Sequence, residues 1–220
     1  MKKKNNFGTK LAFYSNKLGE LVILNMLTLA FCIPVVTVAT SLSAMHYVLI
    51  RIYRDEEQGV FKHFWKFFRE NFLQGILISI IYLVLYVGQA WFYWLMFADF
   101  IKADTLLIIA VVIISVLTIT SFQWVCIFFS RYEDKTGRII KNSFRMILGK
   151  PLTSIMLGLL SLLPFIGILL WIYILPVVVF LGLSLSGMAQ TLLYKKVFNA
   201  LEEKKDAESN NDNETGKDQG

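Results

Sequence analysis

The stretch NKLGELVILNMLTLAFCIPVVTVATSLSAMHYVLIRIY, residues 16–53, reads either as one helix or as two, and the fold turns on which. No Asp, Glu, Lys or Arg occurs over 21–50. An uncharged apolar run of about 20 residues or more is long enough to cross a bilayer as a helix. Pro34 stands close to the midpoint, where it has no N–H to donate and its ring drives the preceding residue out of helical conformation. Two crossings of a hydrocarbon core about 30 Å thick need about 40 residues at a rise of about 1.5 Å each. Ser15 to Tyr53 supplies 39, with Lys17 and Arg51 able to snorkel their charges to the interface. The stretch therefore reads as a tight hairpin of two helices around CysIlePro at 32–34, fully spanning or re-entrant. One long tilted helix is the alternative.

Outward from this stretch, the charge-free runs repeat at 71–98, 105–130 and 151–194. The 220-residue chain is 56% hydrophobic and only 17% charged, and its mean hydropathy is +0.58. That excludes an ordinary soluble enzyme, which carries about 25% charged residues. Runs 71–98 and 105–130 each make one span, and the 44 residues of 151–194 make two that turn near Trp171 to Pro176. Lys and Arg fall five in 1–17, five in 51–69, one in 99–104, six in 131–150 and five in 195–217. By the positive-inside rule the four basic segments, and both termini with them, are cytoplasmic. Because 1–17 and 51–69 then share a side, the run between them must cross an even number of times, which favours the hairpin. The net charge of +6 is thus an orientation signal and does not call for nucleic acid.

An internal repeat points the same way. IPVV at 33–36 is followed by SLSAM at 41–45, and LPVV at 175–178 by LSLSGM at 183–188. Each hairpin is also preceded by apolar residues at helical spacing: Phe7, Leu11, Tyr14 and Leu18; Phe61, Trp65, Phe68 and Phe72; Ile140, Phe144, Ile147 and Pro151. The opposite faces carry Lys10 and Lys17, then Lys62, Lys66 and Arg69, then Lys141 and Arg145. Such helices lie in the cytoplasmic interface, with their basic groups toward anionic lipid headgroups. The expected architecture is an all-α polytopic transmembrane bundle over 1–200. Its three units, each an amphipathic helix followed by a hairpin, occupy about 5–54, 59–132 and 138–200. Pro34 and Pro176 are the helix-breaking turns, giving six crossings or four plus a re-entrant pair. The polar stretch 201–220 has no apolar pattern and reads as a disordered cytoplasmic tail.

The chemistry-bearing residues are sparse. Cys32 and Cys126 lie inside apolar runs, with neither metal-ligand nor disulfide spacing. The two histidines, His46 and His63, belong to no His-x-x-x-His or His-Glu-x-x-His spacing, and the chain has no Gly-x-Ser-x-Gly. The expectation is a non-enzyme without cofactor or metal. Ion-coupled transport normally leaves ionisable groups in the membrane. Here the polar residues of the spans are neutral: Asn25, Thr37, Ser41, Ser43, His46, Gln89, Gln123, Ser184, Ser186 and Gln190. Helix–helix hydrogen bonding, worth under about 1 kcal/mol each, explains most such residues. The functional alternative is a polar midplane site of Asn25, Thr37, His46, Ser184, Ser186 and Gln190, where the two Pro-broken hairpins meet.

The residues from Asn16 to Phe72 also resemble the N-terminal half of the YesL family of bacterial integral membrane proteins. The pattern is an Asn in the first apolar run, a Pro-Val-Val-Thr turn, a small-residue stretch leading to Ala and Tyr, and a Phe-rich amphipathic segment ending in Asn. Those positions are Asn25, Pro34 to Thr37, Ala44, Tyr47, Phe64, Phe67 and Asn71; His46 replaces an aromatic. The resemblance implies a Gram-positive cytoplasmic-membrane protein, encoded beside ABC-type sugar transporters and polysaccharide-degrading enzymes. It implies no activity. The expected role is a non-catalytic accessory or assembly partner of a membrane transport system such as carbohydrate uptake, the alternative being a small-solute permease.

Overall fold

The computed structural model describes the backbone of residues 7–54, 59–98, 104–132, 134–170, 181–195 and 197–198, and side chains in those ranges from Lys17 on, except 165–170. The chain is an all-α polytopic helical bundle, with no strand among the described residues. The elements are α1 (Phe7–Cys32), a 3-10 turn (Val35–Thr37), α2 (Val38–Tyr53), α3 (Val60–Glu70), α4 (Phe72–Phe97), α5 (Thr105–Arg131), α6 (Thr136–Gly149) and α7 (Pro151–Leu170). A further helix, α8, covers residues 183–195. Val35–Tyr53, α4 and α5 are long and apolar enough to cross a membrane, and α6 with α7, bent by 110° at Lys150, makes a fourth candidate.

Residues 16–53 form two packed helices, so the single tilted helix is excluded. Pro34 breaks the chain, and the Thr37 N–H closes the turn on the Pro34 carbonyl at 2.9 Å. The Thr37 hydroxyl bridges the Phe31 and Pro34 carbonyls, each at 2.7 Å. One turn into α2, the Ser41 hydroxyl donates to the Thr28 carbonyl on α1 at 2.9 Å. Polar side chains thus take up carbonyls of the broken and facing helix.

Helix α2 occupies the centre. Ala39, Thr40, Ser41, Ser43, Ala44, Met45, His46, Val48, Leu49 and Ile52 are all buried, which covers every face of the helix. Small residues make this possible by letting neighbouring backbones approach. Gly75 on α4 sits so close to Thr40 that an added Cβ would overlap the Thr40 side chain. One turn on, the Ser79 hydroxyl accepts the Ala39 N–H at 3.0 Å, so Gly75 and Ser79 form a small-xxx-small seam. On the opposite flank, a Cβ at Gly187 of α8 would lie 2.8 Å from Leu49 and Met45.

These contacts fix the depth of the hairpin. Ala39 is level with Ser79, and Val38 shares a cavity wall with Tyr86. Helix α4 then continues to Phe97, which at about 1.5 Å per residue is about 16 Å beyond Tyr86 and about 27 Å beyond Ser79. The turn therefore stops well short of the far end of α4. Its tip is apolar and bare: Ile33 is 80% exposed and Val35 57%. From the level of the turn outward, α4 and α5 pair through a polar ladder: Tyr82 to Ser121 (3.1 Å), Gln89 to Thr118 (2.8 Å) and Tyr93 with Ser115 (2.8 Å).

Three expectations change. The first amphipathic segment is no separate surface helix, because α1 runs unbroken from Phe7 to Cys32 with no proline inside. In α3 the buried residues are Val60, Phe64, Phe67 and Phe68, while Phe61, Trp65 and Phe72 of the expected stripe are exposed. The helix folds back on the hairpin, and Phe31 inserts against Phe64, Trp65 and Phe68 at 4.8–5.7 Å between ring centroids. Lys62, Lys66 and Arg69 stay exposed. In α6 the bundle covers Ile139, Ser143 and Ile147, leaving Phe144 exposed beside Arg145. Both helices thus pack through a face beside the expected stripe, covering Phe68 and Ile147 of it and leaving Phe61, Trp65 and Phe144 exposed. The Pro176 turn and the tail 201–220 lie outside the described residues.

Gly75→Ala forces overpacking against Thr40 and lowers stability by about 1–3 kcal/mol. Gly88, which has nothing within 4 Å, is the control, and Gly88→Ala leaves the melting temperature in detergent unchanged or higher.

Candidate functional site: a neutral cavity inside the bundle

Helices α2, α4, α5, α7 and α8 border a half-open cavity of about 380 Å³. Its lining is mostly apolar, with Val38, Leu42 and Met45 from α2, Phe122 from α5 and Leu183 from α8. The polar groups are His46, Gln123, Ser161, Ser186 and Gln190, with the Tyr86 ring at one side. Among the described residues, no Asp, Glu, Lys or Arg lines it. The volume and the sparse polar lining are those of a small-molecule pocket.

Each polar residue reaches the cavity for a local reason. His46 lies on the all-round buried α2, 1% exposed, with its ring edge-on to Tyr194 at 6.0 Å. Among the described residues its Nδ1 has no hydrogen-bond partner, and neither has Gln190 Oε1. Buried polar atoms are nearly always paired, so two orphans on residues that border one cavity set this part of the bundle apart. Ser161 is tied to its own helix, donating to the Gly158 carbonyl at 2.7 Å. That bond leaves its oxygen as an acceptor.

The six residues proposed from sequence divide into two groups. His46, Ser186 and Gln190 come together on the cavity. Asn25, Thr37 and Ser184 do not line it. Asn25, fully buried on α1, accepts the Ser184 backbone N–H at 2.9 Å and so joins α1 to α8 across 159 residues of sequence. Thr37 closes the hairpin turn. The Ser184 hydroxyl is buried without a partner among the described residues and is not part of the lining. Residue type alone does not separate these roles, because a neutral polar group in an apolar run serves equally well as a backbone partner or as a cavity wall. Tyr86 and Ser161 were not indicated by sequence at all. The one available signal was position: Gln123 lies one turn from Ile119, and both line the cavity from α5.

This arrangement suits neutral ligands. Two amides, two hydroxyls and an imidazole can meet a few hydroxyl or amide groups, while the aliphatic walls take an apolar body. Among the described residues, no group of three or more His, Cys, Asp or Glu could hold a metal ion.

Residues 21–93, from early α1 through the hairpin and α3 into α4, match a family described as a protein of unknown function, DUF624. That segment is about a third of the chain. No curated protein and no solved structure matches the sequence.

Asn25→Ala leaves the Ser184 N–H buried without its acceptor and costs about 1–3 kcal/mol. Gln123→Ala, at the half-open cavity wall, leaves stability nearly unchanged. Unfolding titrations of both variants in mixed micelles provide the comparison.

Proposed function

We propose that this multi-pass membrane protein is a YesL-type protein of the bacterial cytoplasmic membrane with both termini in the cytoplasm. It acts without catalysis, as an accessory or assembly partner of a membrane transport system, with carbohydrate uptake the first candidate. The observation that carries this reading is the outer half of α4. It extends past the hairpin tip and presents Val84, Val87, Trp91, Trp94 and Phe97, between 51% and 91% exposed. Trp and Phe at the end of a membrane helix also suit the headgroup level, and the same aromatic residues are those enriched where proteins meet. The overlap of the DUF624 match with the YesL-like segment supports the family reading, and the family association supplies the transport context.

A second reading, a permease or receptor for a small neutral solute, is favoured by the neutral cavity itself and by its bordering residues His46 and Gln190, each of which has a polar atom without a partner among the described residues. One preparation separates the two. Extraction of the tagged chain from its native membrane in mild detergent should recover a transporter subunit with it, and Trp91→Ala with Trp94→Ala should reduce that recovery severalfold. If the chain comes out alone while neighbouring transporters stay assembled, the accessory role is wrong. Sugar uptake by vesicles holding the chain alone, abolished by Gln190→Leu, would establish the permease instead.

A further inference from the structure

Helix α3 lies between two candidate spans, Val35–Tyr53 and α4, and α6 lies between α5 and α7. Both sit at the same end of the bundle. Tyr82 donates to Ser121 and Tyr93 pairs with Ser115, so α4 and α5 run antiparallel and the start of α4 is level with the end of α5. Gln74, near the start of α4, donates to the Asp134 carbonyl just before α6 at 2.6 Å. The axis then turns by 110° between α6 and α7, close to the right angle between a span and a helix lying along the membrane surface.

The inner face of each helix is taken. Val60, Phe64, Phe67 and Phe68 hold α3, with Phe67 edge-on to Phe129 of α5 at 5.7 Å, and Ile139, Ser143 and Ile147 hold α6. What remains outside has the same two edges in both. On α3, Phe61 and Trp65 stand one turn apart, stack flat at 6.4 Å between ring centroids and are 59% and 42% exposed. Lys62, Lys66 and Arg69 form the exposed edge beside them. On α6, Phe144 and Leu148 are 50% and 83% exposed, with Lys141 and Arg145 exposed beside them. Exposed cations alone would be an ordinary solvated surface. Aromatic and aliphatic side chains bare along the same arc do not fit one, because each leaves apolar area in water.

We infer that the outer faces of α3 and α6 form a binding surface for anionic phospholipid, separate from the neutral cavity and from the outer half of α4. The apolar edges enter the acyl boundary and the basic edges meet the phosphates, the arrangement of an amphipathic helix seated in the headgroup layer. Two observations select lipid as the occupant. The adjoining spans hold both helices at the bilayer, and the charge of the exposed arcs is of one sign apart from Glu70 at the rim of α3.

The full chain is reconstituted in phosphatidylcholine vesicles with rising fractions of phosphatidylglycerol, the acyl chains of one lipid or the other carrying bromine. Tryptophan quenching is compared with that of Trp65→Phe, so that the difference reports lipid at α3. Brominated phosphatidylglycerol should quench the Trp65 signal several times more than its mole fraction predicts, and high salt should lower that preference. Lys62→Gln with Lys66→Gln reduces it at least about fivefold, the worth of one basic residue near an anionic surface, while Lys62→Arg with Lys66→Arg retains it. If the α3 variant fails to fold, Lys141→Gln with Arg145→Gln decides, read as fewer phosphatidylglycerol molecules retained in native mass spectrometry. Equal quenching by the two brominated lipids, quenching by neither, or a preference that the Gln substitutions leave unchanged overturns the surface.

Discussion

A helix that breaks in an apolar environment strands backbone N–H and C=O groups that water cannot reach, and each costs several kcal/mol if left unpaired. Much of this structure is organised by that constraint. Pro34 creates the break, and the groups around it are met one by one. Thr37 takes the Phe31 and Pro34 carbonyls, and Ser79 takes the Ala39 N–H from a different helix. Asn25 does the same for Ser184 near the start of α8. The polar residues scattered through the apolar runs are thus largely committed to backbone groups.

Meeting those groups brings helices close together, and this places the neutral cavity. Ser79 can reach Ala39 only because Gly75, one turn earlier, offers no side chain to hold α4 away from Thr40. Gly187 does the same for α8 against Met45 and Leu49. With α2 held from both flanks, its first half, Val38 to His46, faces α5 and α7 across the cavity. His46 and Gln190 border it. The cavity therefore lies alongside the first half of α2, where the helices that meet it are held apart from one another.

The hairpin was legible in the sequence because charge parity and a proline at the midpoint both required it, without reference to any distant partner. The long spans were legible for a similar reason, since a bilayer demands an uncharged run of fixed length. The packing faces of α3 and α6 were not. Periodicity identifies an apolar arc, and α3 has one wide enough to pack Phe64 and Phe67 inward while Phe61 and Trp65 remain outside. Which part turns inward depends on Phe31, about 35 residues earlier. The division of Asn25 from Gln190 was equally hidden, because it rests on a contact between chain ends. The continuous α1 was missed because an amphipathic segment and an apolar one were read as two helices where nothing in the sequence interrupts them.

The central claim is that the Pro34 hairpin turns back partway along α4, held there by Gly75 and Ser79. Its most direct test is the depth of a spin label at Val36→Cys in reconstituted bilayers, read from the ratio of oxygen to polar-nickel accessibility and compared with a label at Phe97→Cys. A label at 36 near the bilayer centre, with the label at 97 at the far interface, is the expected result. Equal interfacial depth for both positions would show that the hairpin spans the membrane and would contradict the half-depth arrangement.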